Sequence, residues 1–168
     1  MKTKLLCLFM ALWFSGCNRQ PETTQKQLEA RIDSIQKMID KGYRPGLGEF
    51  MTGIQLHHEK LWFAGKNQNW ELADFEINEI REALTDINAY CSDRPEVHFL
   101  PMLNSPLDSL GNSIRDKNSS SFQKNYITLT NTCNSCHQTT HHGFNVIKLP
   151  DSSPFSDQDF SGHASVRK

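Results

Sequence analysis

No apolar run in this 168-residue chain is long enough to cross a bilayer. The longest, residues 5–14, spans about ten residues where a transmembrane helix needs about twenty. Neither sign of charge dominates, since eighteen Lys and Arg stand against nineteen Asp and Glu for a net charge of -1. That balance supplies no cationic field for nucleic acid or for an anionic membrane surface, so no nucleic-acid partner is expected. No stretch of substance alternates in the two-residue period of a strand, and no internal repeat is visible, which excludes a sheet protein and a solenoid. The length leaves room for one domain, or two very small ones.

What is present begins with the leader MKTKLLCLFMALWFSGC. Two lysines, a short apolar run and small residues before a cysteine make a secretory signal. Its ending, Phe14-Ser15-Gly16-Cys17, resembles the lipobox of bacterial lipoproteins, with Phe14 departing from the usual Leu. The resemblance implies a signal over residues 1–16, lipidation of Cys17, and anchoring of the mature chain to a membrane on the periplasmic side of a bacterial cell envelope. Plain cleavage nearby would instead release a soluble exported protein. Residues 17–24 are polar, contain Pro21 and suit a tether.

Apolar positions spaced by threes and fours then predict helices. Leu28, Ile32, Ile35, Met38 and Ile39 mark a first one, stopped by Gly42. Leu47, Met51, Ile54, His58, Leu61 and Gly65 share the inner face of a second. Asn69 caps a third, whose inner face reads Ala73, Glu76, Ile80, Ala83 or Leu84, and Ile87. Residues 92–105, with Pro95 and Pro101, read as a loop. Ser105-Pro106 starts a fourth helix to about Lys117, and one of Ser119, Ser120 and Ser121 caps a fifth with Phe122, Tyr126, Leu129, Cys133 and His137 inward. Residues 143–168 look extended, as a strap or a loose tail. The expected fold is all-α: an antiparallel four-helix bundle with an additional N-terminal helix and an extended C-terminal tail, the helical domain covering residues 25–142.

Cys133-Asn134-Ser135-Cys136-His137 is a C-x-x-C-H run, the spacing of covalent c-type haem attachment. Two thiols form thioethers with the two haem vinyl groups, and the adjacent imidazole becomes the proximal iron ligand. A redox dithiol would sit in a strand-to-helix context, and a zinc site would draw further ligands such as His141 and His142. Export agrees with haem, because this attachment takes place beyond the cytoplasmic membrane. With Cys7 in the leader, Cys17 lipidated and the motif pair on haem, Cys91 remains as a buried thiol and no structural disulfide is expected.

A helical bundle with this motif at the end of its last helix resembles the cytochrome c-prime and cytochrome c-556 family over about residues 46–142. The resemblance implies iron near one end of the bundle, between the last helix and the opening turns of the first. The c-556 type implies a methionine as sixth ligand, whereas the c-prime type implies an open, five-coordinate iron. Leu61-Trp62-Phe63-Ala64-Gly65 and Asn69-Trp70-Glu71-Leu72-Ala73 are also similar to segments of small exported monohaem proteins. The added N-terminal helix and the long segment after His137 depart from the family.

Folding the second helix on the third about residue 67 brings Met51 level with Ala83 and His58 level with Glu76. Cys133 falls on the layer of Met51, and the small Ala83 leaves room for a macrocycle, so Met51 is the expected sixth ligand. His58 lies roughly 10 Å deeper at 1.5 Å per residue, and it or an open position is the alternative. Met51 as a mere core filler is the plainer reading. Glu76 is expected to hydrogen-bond His58, as packing or as support behind the ligand, with His57 in solvent. Trp62 and Trp70 are expected to close one end of the core. The expected protein carries one covalent haem c and transfers electrons between redox partner proteins. Binding of a small gas is the alternative, and a peroxidase lacks a distal acid and base beyond His58.

Overall fold

The computed structural model describes residues 22–162; the leader, Cys17 and residues 163–168 lie outside the described residues. Among these, every regular element is helical and no strand occurs, so the chain is all-α. They fall into two units, with the break between Tyr43 and Arg44, inside the span expected to be one helical domain.

The first unit contains α1 (Glu22–Asp40). It begins within the expected tether, and Leu28, Ile32, Ile35, Met38 and Ile39 are all exposed.

The second unit contains four α-helices and a 3-10 helix. Helix α2 (Leu47–Lys66) starts where Glu49 accepts a hydrogen bond from the Gly46 N–H at 3.0 Å. It stops at Asn67, and Gln68 takes a left-handed φ of 57° to turn the chain. Helix α3 (Trp70–Tyr90) follows, with Asn69 accepting from the Leu72 N–H as expected of a cap. Residues 95–103, expected to be loop, form a 3-10 helix that buries Leu100 and Leu103. Proline suits such a segment, since Pro95 opens it where no N–H is needed. Helix α4 (Asn104–Arg115) and helix α5 (Ser119–Thr139) complete the unit. The cap of α5 is Asn118, whose side chain accepts from the Ser121 N–H, rather than one of the serines.

Helix α2 packs on α3, α4 on α5, and further contacts join α3 to α4 and α2 to α5. Leu61, Ala64, Ala73, Ile77, Leu107, Leu110, Phe122 and Tyr126 form the heart of the core. Trp62 and Trp70 stack or abut on Phe122, and the Phe122 ring lies directly against Gly65. Residues 143–162 run as a strap. Phe160 is buried against Phe63 and Phe155, and Asn69 donates to the Ser161 carbonyl at 3.3 Å.

Candidate functional site

Cys133, Cys136 and His137 lie on the last turns of α5, three and four residues apart and therefore on one face. They line a cavity of about 260 Å³ together with Met51 and His58 from α2. Leu47, Ile54, Leu84, Leu100 and Leu103 supply an apolar wall, while Arg94, Glu96, His142 and Asn145 supply its polar part. The short 3-10 helix thus contributes a side of the site that its sequence did not advertise. Arg94 and Glu96 pair at 2.9 Å. A backbone hydrogen bond and then the Arg94 guanidinium hold the Glu96 carboxyl below its ordinary range.

His137 is the best-defined polar group of the motif. Its Nδ1 lies 2.7 Å from the Asn145 carbonyl oxygen. A carbonyl only accepts, so Nδ1 carries the ring proton and Nε2 presents its lone pair. The strap that delivers Asn145 is held by Asn134, from inside the motif: Nδ2–H donates to the Ile147 carbonyl and Oδ1 accepts the Ile147 N–H, each at 2.8 Å. Sequence reasoning missed Asn134 and Asn145, because the motif tolerates any residue at its two middle positions and a backbone acceptor has no signature.

Both motif thiols are free, and burial pushes Cys133 up to about 12 and raises Cys136 as well. A redox dithiol needs the opposite shift, toward thiolate. Among the described residues no three His, Cys, Asp or Glu side chains converge as a metal-binding group. His141 is exposed, whereas His142 lines the same cavity and directs Nδ1 to the Thr140 carbonyl at 2.7 Å.

Met51 is half-buried and lines the cavity with Cys133 and His58. Ala83 does not. The inner face of α3 steps through Ile80, Leu84 and Ile87, so Leu84 reaches the cavity and Ala83 is turned off it. The expected Glu76 to His58 bond is also absent. His57 Nδ1, not His58, meets Glu76 Oε2 at 2.7 Å, because His57 lies toward α3 while His58 is rotated toward α5. His58 is buried, with Nδ1 2.9 Å from Tyr126 Oη and Nε2 2.9 Å from Thr130 Oγ1. Its ring stacks on Tyr126, and burial lowers its pKa to about 4. Both ring nitrogens are thus engaged, whereas Met51 presents a thioether on the same cavity. Thr130 was missed by the sequence reading, although its position four residues after Tyr126 on α5 is the signal that finds it.

No family model, curated protein or solved structure matches this chain. The fit to a covalent haem therefore rests on the donor set itself. Two free thiols, an imidazole with its outer nitrogen bonded away and its Nε2 open, and a thioether all line one largely apolar cavity. The thiols and the imidazole are the groups that c-type haem attachment uses, and a thioether is one of the side chains that can complete it.

Proposed function

We propose that this chain is an exported, lipid-anchored monohaem cytochrome c, an antiparallel four-helix bundle that carries electrons between redox partner proteins outside the cytoplasmic membrane. The observation that carries the reading is the His137 Nδ1 to Asn145 carbonyl bond beside the two motif thiols, since it prepares Nε2 as a ligand on the cavity. Bound there, haem supplies an iron that cycles between ferric and ferrous states.

The chain's own residues do the rest. Cys133 and Cys136 would hold the haem through thioether links, each thiol adding S–H across a vinyl group without net oxidation. His137 Nε2 from α5 and Met51 Sδ from α2 would be the residues that hold the iron. Leu84, Leu100 and Leu103 give the site an apolar wall, whose low dielectric would favour the less charged redox state. Glu76 and His57 stabilise the seam between α2 and α3, away from the cavity-lining groups.

The test is a pyridine haemochrome spectrum with intact mass of the mature protein produced with a c-type maturation system. One haem per chain, lost on Cys133→Ser with Cys136→Ser, is expected. A bare polypeptide with both thiols open to alkylation would overturn the reading.

A further inference from the structure

Resting on that reading, we propose that Asn134 is a positioning residue that sets the strength of the proximal ligand through the strap. Its amide makes a two-point clip to the backbone of Ile147, with donor and acceptor both satisfied at 2.8 Å. Two residues earlier the same strap presents the Asn145 carbonyl to His137 Nδ1. The other side of that carbonyl is also tethered: the Asn145 N–H donates to the His142 carbonyl at 2.8 Å, and the His142 N–H to the His137 carbonyl at 2.7 Å. The acceptor is therefore held between a turn that grows out of α5 and a clip that returns to it.

The chemical consequence follows from how the ring nitrogens communicate. A carbonyl held close to Nδ1–H pulls its proton outward and makes Nε2 a stronger electron donor. A stronger donor favours ferric over ferrous iron and lowers the reduction potential. Asn134 does not itself line the cavity and has no bond to the ring; it reaches the wall through the backbone of Ile147 and acts by fixing where the Asn145 oxygen can be. Phe144 and Val146 on the same strap are highly exposed, so packing of these two side chains does not hold it. The clip is thus the constraint on the C-terminal side of Asn145, as the His142 turn is on the other.

The experiment uses the full haem-loaded protein and compares wild type with Asn134→Ala, Ile147→Pro and Asn118→Ala. Ile147→Pro deletes the N–H given to Asn134 and keeps the attachment motif, but it also replaces a side chain that lines the cavity, so Asn134→Ala is the decisive variant. Asn118→Ala removes the cap at the far end of α5 and serves as a purely structural loss. Reduction potential is read by spectroelectrochemistry, and solvent exchange of the His137 Nδ1 proton by NMR of the reduced protein. The expected result is an upward shift of potential in both clip variants, with Nδ1 proton exchange faster by about tenfold, as loss of roughly one hydrogen bond implies. Asn118→Ala lowers the melting temperature with no shift in potential. Haem-loaded Ile147→Pro or Asn134→Ala with unchanged potential and exchange overturns this role alone, whereas wild type without c-type haem overturns the functional reading beneath it.

Discussion

His57 Nδ1 sits 2.7 Å from Glu76 Oε2, and the Glu76 side chain is only 1% exposed while that of His57 is 22% exposed. A carboxylate buried in the seam between α2 and α3 thus reaches the surface through one imidazole. Removing that imidazole strands it. His57→Ala is expected to destabilise the fold by about 3 kcal/mol, the range for breaking a buried pair from one side. Glu76→Gln, which keeps a hydrogen-bonding group, is expected to cost about 1 kcal/mol. Urea unfolding followed by circular dichroism measures both, and equal small losses would show that the pair is unimportant.

Acid stability carries the signature of the neighbouring histidine. Burial between Tyr126 and Thr130 lowers the pKa of His58 from 6.5 to about 4. Between those values the unfolded chain binds a proton that the fold refuses, so this contribution is complete above about pH 6.5 and is lost as pH falls toward 4. At about 1.4 kcal/mol per pH unit the loss amounts to roughly 3 kcal/mol. His58→Gln is expected to be less stable at neutral pH but to show a shallower decline over this window. Parallel stability curves for the two proteins would contradict the assignment.

Ligation separates Met51 from His58. Reduced wild type is expected to take up CO slowly and incompletely, and Met51→Ala to take it up rapidly. His58→Gln should retain the spectrum of wild type, because its ring nitrogens are engaged by Tyr126 and Thr130. Rapid, complete CO uptake by wild type would make the iron five-coordinate and favour gas binding over electron transfer.

Packing limits residue 65 to glycine. A β-carbon there would fall within the Phe122 ring, which is itself fully buried. Gly65→Ala is expected to cost about 2 kcal/mol, the usual penalty of overpacking, despite the better helix propensity of alanine. A melting temperature equal to wild type would show that Phe122 can shift without loss.

Much of the helical layout was legible because three- and four-residue spacing and local caps act within one segment. Asn69 and Gly42 mark boundaries through their own backbone chemistry, and Cys133, Cys136 and His137 share a face simply because they are three and four residues apart. The 3-10 helix at Pro95–Leu103 was read as a loop, since its prolines signal a break whether or not Leu100 and Leu103 find a core to enter. Pairings across helices were less legible. The stripe of α2 placed His58 inward, but an error of one residue in the hairpin register exchanged it with His57 as the partner of Glu76. The same tolerance exchanged Ala83 for Leu84 at the cavity.

The amino-acid order by itself determined the helices, the donor types and the spacing that puts two thiols and an imidazole on one turn-and-a-quarter of α5, because each depends on chain geometry over a few residues. Only the tertiary structure decided that Met51 shares their cavity, that Tyr126 and Thr130 occupy both nitrogens of His58, and that Asn134 clips a strap carrying the acceptor for His137. Those relations join residues distant in the chain, and they depend on helix rotations of a fraction of a turn that packing sets and periodicity does not.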